Sequence, residues 1–148
     1  MSIAFFTEMH FKGKVPSNHT NMRTEFAWMH LLQADHYNYR ETPSQNYDLG
    51  IVIIPKKDPN FDIKELKKFC TKVSVMQEGP HWYFQDYELH NQFHYYNTLL
   101  SADIIYCHNY SDIKYYKGLG CKKVRVMRSL MIPDGLESNR EIGKGTII

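Results

Sequence analysis

The chain has 148 residues, 43% of them hydrophobic and 23% charged, with a formal charge of +2 at neutral pH. One domain of that length can bury a real core, and the balance excludes an intrinsically disordered chain. No apolar run reaches the ~18–20 residues needed to span a bilayer, and so small a charge argues against nucleic acid as a partner.

Ser2 to Thr7 is a continuous apolar run of the kind a strand buried on both faces shows. No basic leader precedes Glu8, so it reads as a first strand and not as a signal peptide. A polar loop follows from Glu8 to Ser17, with Gly13 and Pro16. Asn18 or Thr20 can cap a helix to about Gln33, with Met22, Phe26, Met29 and Leu32 on one stripe. Asp35 to Tyr39 is a short strand, and Leu49 to Ile54 is the strongest strand signal, stopped by Pro55.

Asp62 caps a short helix through Phe69 with Ile63, Leu66 and Phe69 inward, and Lys72 to Met76 is the next strand. A helix from about Phe84 to Leu100 is expected to bury Leu89, Phe93, Tyr96 and Leu100. Ala102 to Cys107 is a strand, Asn109 or Ser111 starts a helix to about Lys117, and Gly118 and Gly120 end it. Lys123 to Met127 is the sixth strand. Strands alternating with helices at this spacing predict an α/β fold: a Rossmann-like three-layer α/β/α domain with a mostly parallel sheet of about six strands, in the order 3-2-1-4-5-6.

Cys70, Cys107 and Cys121 form no CxxC pair and are odd in number, which fits free thiols in a cytoplasmic protein. The clusters Lys56-Lys57, Lys64-Lys67-Lys68 and Lys122-Lys123 read as solvated loop and helix faces. His90 and His94 have the i, i+4 spacing of metal ligands but no third ligand, so no metal is expected there. Gly143-Lys144-Gly145-Thr146 echoes part of a phosphate loop without its spaced glycine or following helix. Neither GxGxxG nor GxSxG occurs, and no cofactor is expected.

In an open α/β sheet, ligands sit at the carboxyl ends of the strands. The turns expected there carry Glu8, His10 and Lys12 after the first strand, Lys56 and Lys57 after the third, and Glu78, Gly79, His81 and Trp82 after the fourth. His108 and Asn109 follow the fifth, and Arg128 and Ser129 the sixth. Carboxylates and amides suit sugar hydroxyls, Trp82 offers a flat face for stacking, and a histidine or Glu78 can act as general base toward a hydroxyl. Against this, Glu78 can cap the next helix, His81 can be a surface residue, and His108-Asn109 can be an Asx-type cap.

The strands Ile3-Ala4-Phe5-Phe6-Thr7 and Tyr47-Asp48-Leu49-Gly50-Ile51-Val52-Ile53 carry a resemblance. It continues in Ser101-Ala102-Asp103-Ile104-Ile105-Tyr106-Cys107-His108-Asn109, Lys122-Lys123-Val124-Arg125-Val126 and Ile132-Pro133-Asp134-Gly135-Leu136. Together they resemble the N-terminal Rossmann-like domain of GT-B type glycosyltransferases, the glycogen-synthase-like and family-4-like group, over about residues 1–135. The resemblance implies a domain that holds the hydroxyl acceptor, facing a second domain that holds a nucleotide-sugar donor, with transfer in the cleft between them and no bound metal. Glu78, His81 and His108 would then be the catalytic side. The first loop departs from the family in having a single glycine, Gly13.

Residues 136–148 read as a linker and the start of a missing second domain, so that this chain alone would be inactive. An exposed interdomain face would let two copies associate. Two rival readings are a stand-alone Rossmann-like or flavodoxin-like ligand-binding or regulatory module, and a single-strand nucleic-acid binder using lysine-rich edges with exposed Tyr and Trp.

Overall fold

The structure, a computed structural model, describes residues 1–8, 13–14, 22–23, 25–55, 58, 60–77 and 83–132. In chain order the elements are β1 (Ile3–Thr7), β2 (Gly13–Lys14), β3 (Met22–Arg23), α1 (Glu25–Leu31), β4 (Asp35–Asn38) and β5 (Tyr47–Val52). A 3₁₀ turn (Ile63–Lys68) leads to β6 (Cys70–Met76), and a second (Tyr83–Asp86) to α2 (Leu89–Ser101). The chain then runs through β7 (Ile104–Cys107), α3 (Ser111–Leu119), β8 (Val124–Val126) and β9 (Met131–Ile132).

Seven strands form one sheet in the order β2-β4-β1-β5-β6-β7-β8. All are parallel except β2, which pairs antiparallel with β4 at the edge, and β3 and β9 form a separate antiparallel ribbon. The fold is therefore α/β and Rossmann-like, with six parallel strands. Counting only those, the order is 2-1-3-4-5-6, which corrects the expected 3-2-1-4-5-6. The edge outside β4 is taken by the antiparallel β2, and the loop 39–46 crosses back over β1 so that β5 pairs on its other side. β1 thus lies between β4 and β5 and is the point where the winding reverses.

Both faces of the sheet are covered, which is why its strands read as near-continuous apolar runs. On β5, Leu49 and Ile51 face a core shared with Phe5, Met76 and the α1 residues Ala27 and Met29. Val52 faces the other core, with Phe6, Val73, Val75 and Ile105, closed by Ile63 and Leu66 of the first 3₁₀ turn, Leu99 of α2 and Tyr116 of α3. Asp62 caps that turn by accepting from the Lys64 amide at 3.0 Å, as expected. Gly120, at φ 104°, ends α3 in the left-handed conformation that a Cβ disfavours.

Two helices depart from expectation. α1 begins only at Glu25, because Met22 and Arg23 pair with β9, and Leu32 lies in the turn after it with 37% exposure. The helix foreseen from Phe84 is broken at Tyr87–Glu88, and α2 restarts at Leu89 in a different phase. Its buried positions are Thr98 and Leu99, while Leu89, Phe93 and Leu100 face outward. The phase is held by Phe84, which stacks on Tyr95 at 5.0 Å and meets Tyr96 edge-on at 4.9 Å.

Candidate functional site

The winding reverses at β1, and in open α/β sheets such a reversal marks the crevice outside the carboxyl ends of the two strands, here β1 and β5, as the place where ligands bind. The backbone there is held tightly. The Tyr39 amide donates to the Thr7 carbonyl at 2.9 Å, and Asn38 Nδ2 donates to the Glu8 carbonyl at 3.1 Å. Just beneath, Thr7 Oγ1 and His36 Nε2 share a hydrogen bond of 2.7 Å, with the Phe26 ring edge-on to the imidazole. Both residues are buried, so this pair pins β1 to β4 and is closed to substrate.

Beside Glu8 the loops after β4 and β5 carry an ion pair. Arg40 Nη2 meets Asp58 Oδ2 at 3.2 Å, and the guanidinium lies 5.2 Å from the centre of the Tyr39 ring. Tyr39 is itself buried and packed edge-on against Phe61 at 5.3 Å, so it is a fixed platform. Arg40 is 71% exposed and Asp58 30%.

A second group of polar side chains sits at the ends of β6, β7 and β8. Gln77, buried at the exit of β6, accepts from the His108 backbone amide through Oε1 at 3.0 Å and donates its backbone N–H to the Tyr106 carbonyl at 2.8 Å. His108 Nδ1 lies 3.0 Å from the Met127 carbonyl. A carbonyl only accepts, so Nδ1 carries the proton and Nε2 of the neutral ring is the free base. That Nε2 is shielded from solvent and has no hydrogen-bond partner among the described residues. Asn109 and Ser129 are exposed, and the exposed Arg128 guanidinium lies 5.4 Å from the centre of the Tyr110 ring. The Arg128 carbonyl accepts from Trp28 Nε1 at 2.8 Å, tying this end to α1. Cys107 is fully buried, and burial pushes its thiol up, with the nearby Asp112 charge acting in the same direction, which favours the protonated thiol over the nucleophilic thiolate.

Of the expected site residues, the structure thus gathers His108, Asn109, Arg128 and Ser129 at one end of the carboxyl edge. Glu8 stands at β1, about 14 Å away by strand spacing. His10, Lys12, Glu78, Gly79, His81 and Trp82 lie outside the described residues, as do Lys56 and Lys57. The Asx-type cap does not form: the residue before α3 is Tyr110, and Asn109 is bonded through its carbonyl, which accepts from the Asp112 amide at 3.1 Å and from the Cys107 thiol at 3.4 Å. Gln77, Asn38 and Arg40 were not foreseen. Only the sequence position of Gln77, between a strand and a Gly-Pro pair, could have signalled one of them.

Among the described residues, no group of three or more His, Cys, Asp or Glu could hold a metal, and no helix is long and apolar enough to cross a membrane. Comparison with protein-family models, with curated proteins and with solved structures returns no match.

Proposed function

We propose that this chain is the acceptor-side half of a nucleotide-sugar-dependent glycosyltransferase of the GT-B kind, binding a hydroxyl-rich acceptor at the carboxyl edge of its sheet. The observation that carries this reading is His108. Its Nδ1–H is committed to the Met127 carbonyl, its backbone is held by Gln77, and its Nε2 is a shielded, unpaired acceptor at a strand end. A basic nitrogen fixed in one tautomer is the equipment for accepting a proton from an acceptor hydroxyl as that oxygen attacks the sugar's anomeric carbon and the nucleoside phosphate leaves with the bonding pair; because this nitrogen is shielded, acceptor binding has to uncover it. Asn109 beside it supplies an amide for further hydroxyls, and the exposed Tyr110 ring a face for a sugar to lie on.

The test follows the histidine imidazoles by NMR during titration with a panel of neutral oligosaccharides. Saturable shifts at His108, with saccharide binding measured by calorimetry abolished in His108→Ala while the fold is kept, support the reading, and shifts elsewhere or none count against it. A second reading is favoured by the strand order: the first five of the six parallel strands follow 2-1-3-4-5, the flavodoxin-like winding, which serves as a stand-alone nucleotide-binding module. Binding of a free mononucleotide at the β1–β5 crevice, with no response to saccharides, would decide for that module.

A further inference from the structure

We propose that Arg40 is an anion-binding residue for a phosphate-bearing ligand at the β1–β5 crevice, and that Asp58 is a built-in competitor that occupies its guanidinium until the ligand arrives. The inference rests on the carboxyl edge being the ligand site, but not on the ligand being a sugar acceptor.

Arg40 and Asp58 leave the sheet from β4 and β5, the two neighbours of β1, so their contact straddles the strand at which the winding reverses. The guanidinium is unusually well prepared for an exposed arginine. It is placed against the Tyr39 ring at 5.2 Å, and that ring is fixed by burial, by Phe61, and by the Tyr39 amide bonding to the Thr7 carbonyl at the end of β1 itself. Stacking removes much of the freedom an arginine loses when it binds, while leaving its donors at the edge.

Only one of its five N–H donors meets Asp58, through a single contact of 3.2 Å and not a two-pronged fork. A phosphate presents more acceptor oxygens and more charge, and suits the fork better than one carboxylate oxygen. An exposed pair of this kind holds its partner weakly, so displacing Asp58 lowers the apparent affinity by no more than about fivefold. The contact can therefore keep the arginine oriented without blocking the ligand. A surface ion pair with no further role would instead leave phosphate affinity indifferent to both residues.

The probe is pyrophosphate, titrated at constant ionic strength into the chain with its arginine side-chain resonances resolved by NMR. The expected result is a saturable shift of the Arg40 Nε–H signal in the wild type, with a pyrophosphate affinity, read in all three proteins by calorimetry, that is lost in Arg40→Gln and tightened about two- to fivefold in Asp58→Asn. Sulfate should compete and acetate should not. Because both positions are on the surface, unchanged thermal midpoints serve as the check on folding. Retained affinity in Arg40→Gln places the anion elsewhere, and unchanged or weaker binding in Asp58→Asn removes the competitor role; either overturns the proposal, as does the lack of saturation in all three proteins. Saccharide binding at His108 is read from a different signal, so either claim can fail while the other stands.

Discussion

At Gly50 the missing side chain is what lets β5 lie against β6 and β1. A Cβ there would stand 2.8 Å from Cys70 Sγ and 3.3 Å from Phe6 Cε2, closer than packed atoms tolerate. Gly50→Ala should therefore lower the stability measured by urea unfolding by about 1–3 kcal/mol, the usual cost of overpacking a filled core. Cys70→Ala removes the nearest atom, so the double variant should be less destabilised than the two single losses summed; simple additivity would refute the steric account. Cys70 also makes a pH prediction. Burial pushes its thiol from the ordinary 9.0 up to about 11, so the folded chain keeps a proton that the unfolded chain gives up. That contribution is complete below about pH 9 and is lost as the pH rises through about 11. Urea midpoints across this window should fall more steeply for the wild type than for Cys70→Ala, and parallel slopes would show that the thiol is not responsible.

Among elements, the second 3₁₀ turn (Tyr83–Asp86) decides how α2 sits. Phe84, 2% exposed, is the hub: it touches Tyr95 and Tyr96, and Tyr115 of α3 at 6.4 Å. Phe84→Ala should cost about 3–5 kcal/mol and speed amide exchange in α2 before it affects β5. Uniform acceleration across both would mean the ring supports the core in general and not the helix. This hub also explains what the residues showed beforehand and what they concealed. The strands were legible because a strand covered on both faces writes a contiguous run, as Leu49 to Ile54 does. The buried face of α2 was not, since Leu89, Phe93 and Leu100 make a plausible apolar stripe and only a contact with Phe84 turns it outward. At the site, His108 and Asn109 could be found because a strand visibly ends there. Arg40 could not, because its meaning comes from Asp58, 18 positions away, and from a sheet order that no local pattern encodes.

On the scale of the whole molecule, the segment after β8 runs back to α1 and joins the two ends of the described chain. Trp28 Nε1 donates to the Arg128 carbonyl across 100 positions, Met127 and Leu130 pack against the core that α1 covers, and β9 pairs with β3. The same few residues place the Arg128 guanidinium over Tyr110 and supply the carbonyl that sets the His108 tautomer. Anything that loosens this return should therefore disturb the site before it unfolds the sheet. Trp28→Phe keeps an aromatic ring in place and deletes only the donor, which should cost about 0.5–1.5 kcal/mol of stability. Its larger effect should be local: faster amide exchange at 22–23 and 131–132 and a shifted His108 ring signal, with β5 unchanged. If the ribbon exchanges as slowly as before, the return is held by the packing of Met127 and Leu130, and Met127→Ala should then produce the loosening that Trp28→Phe did not.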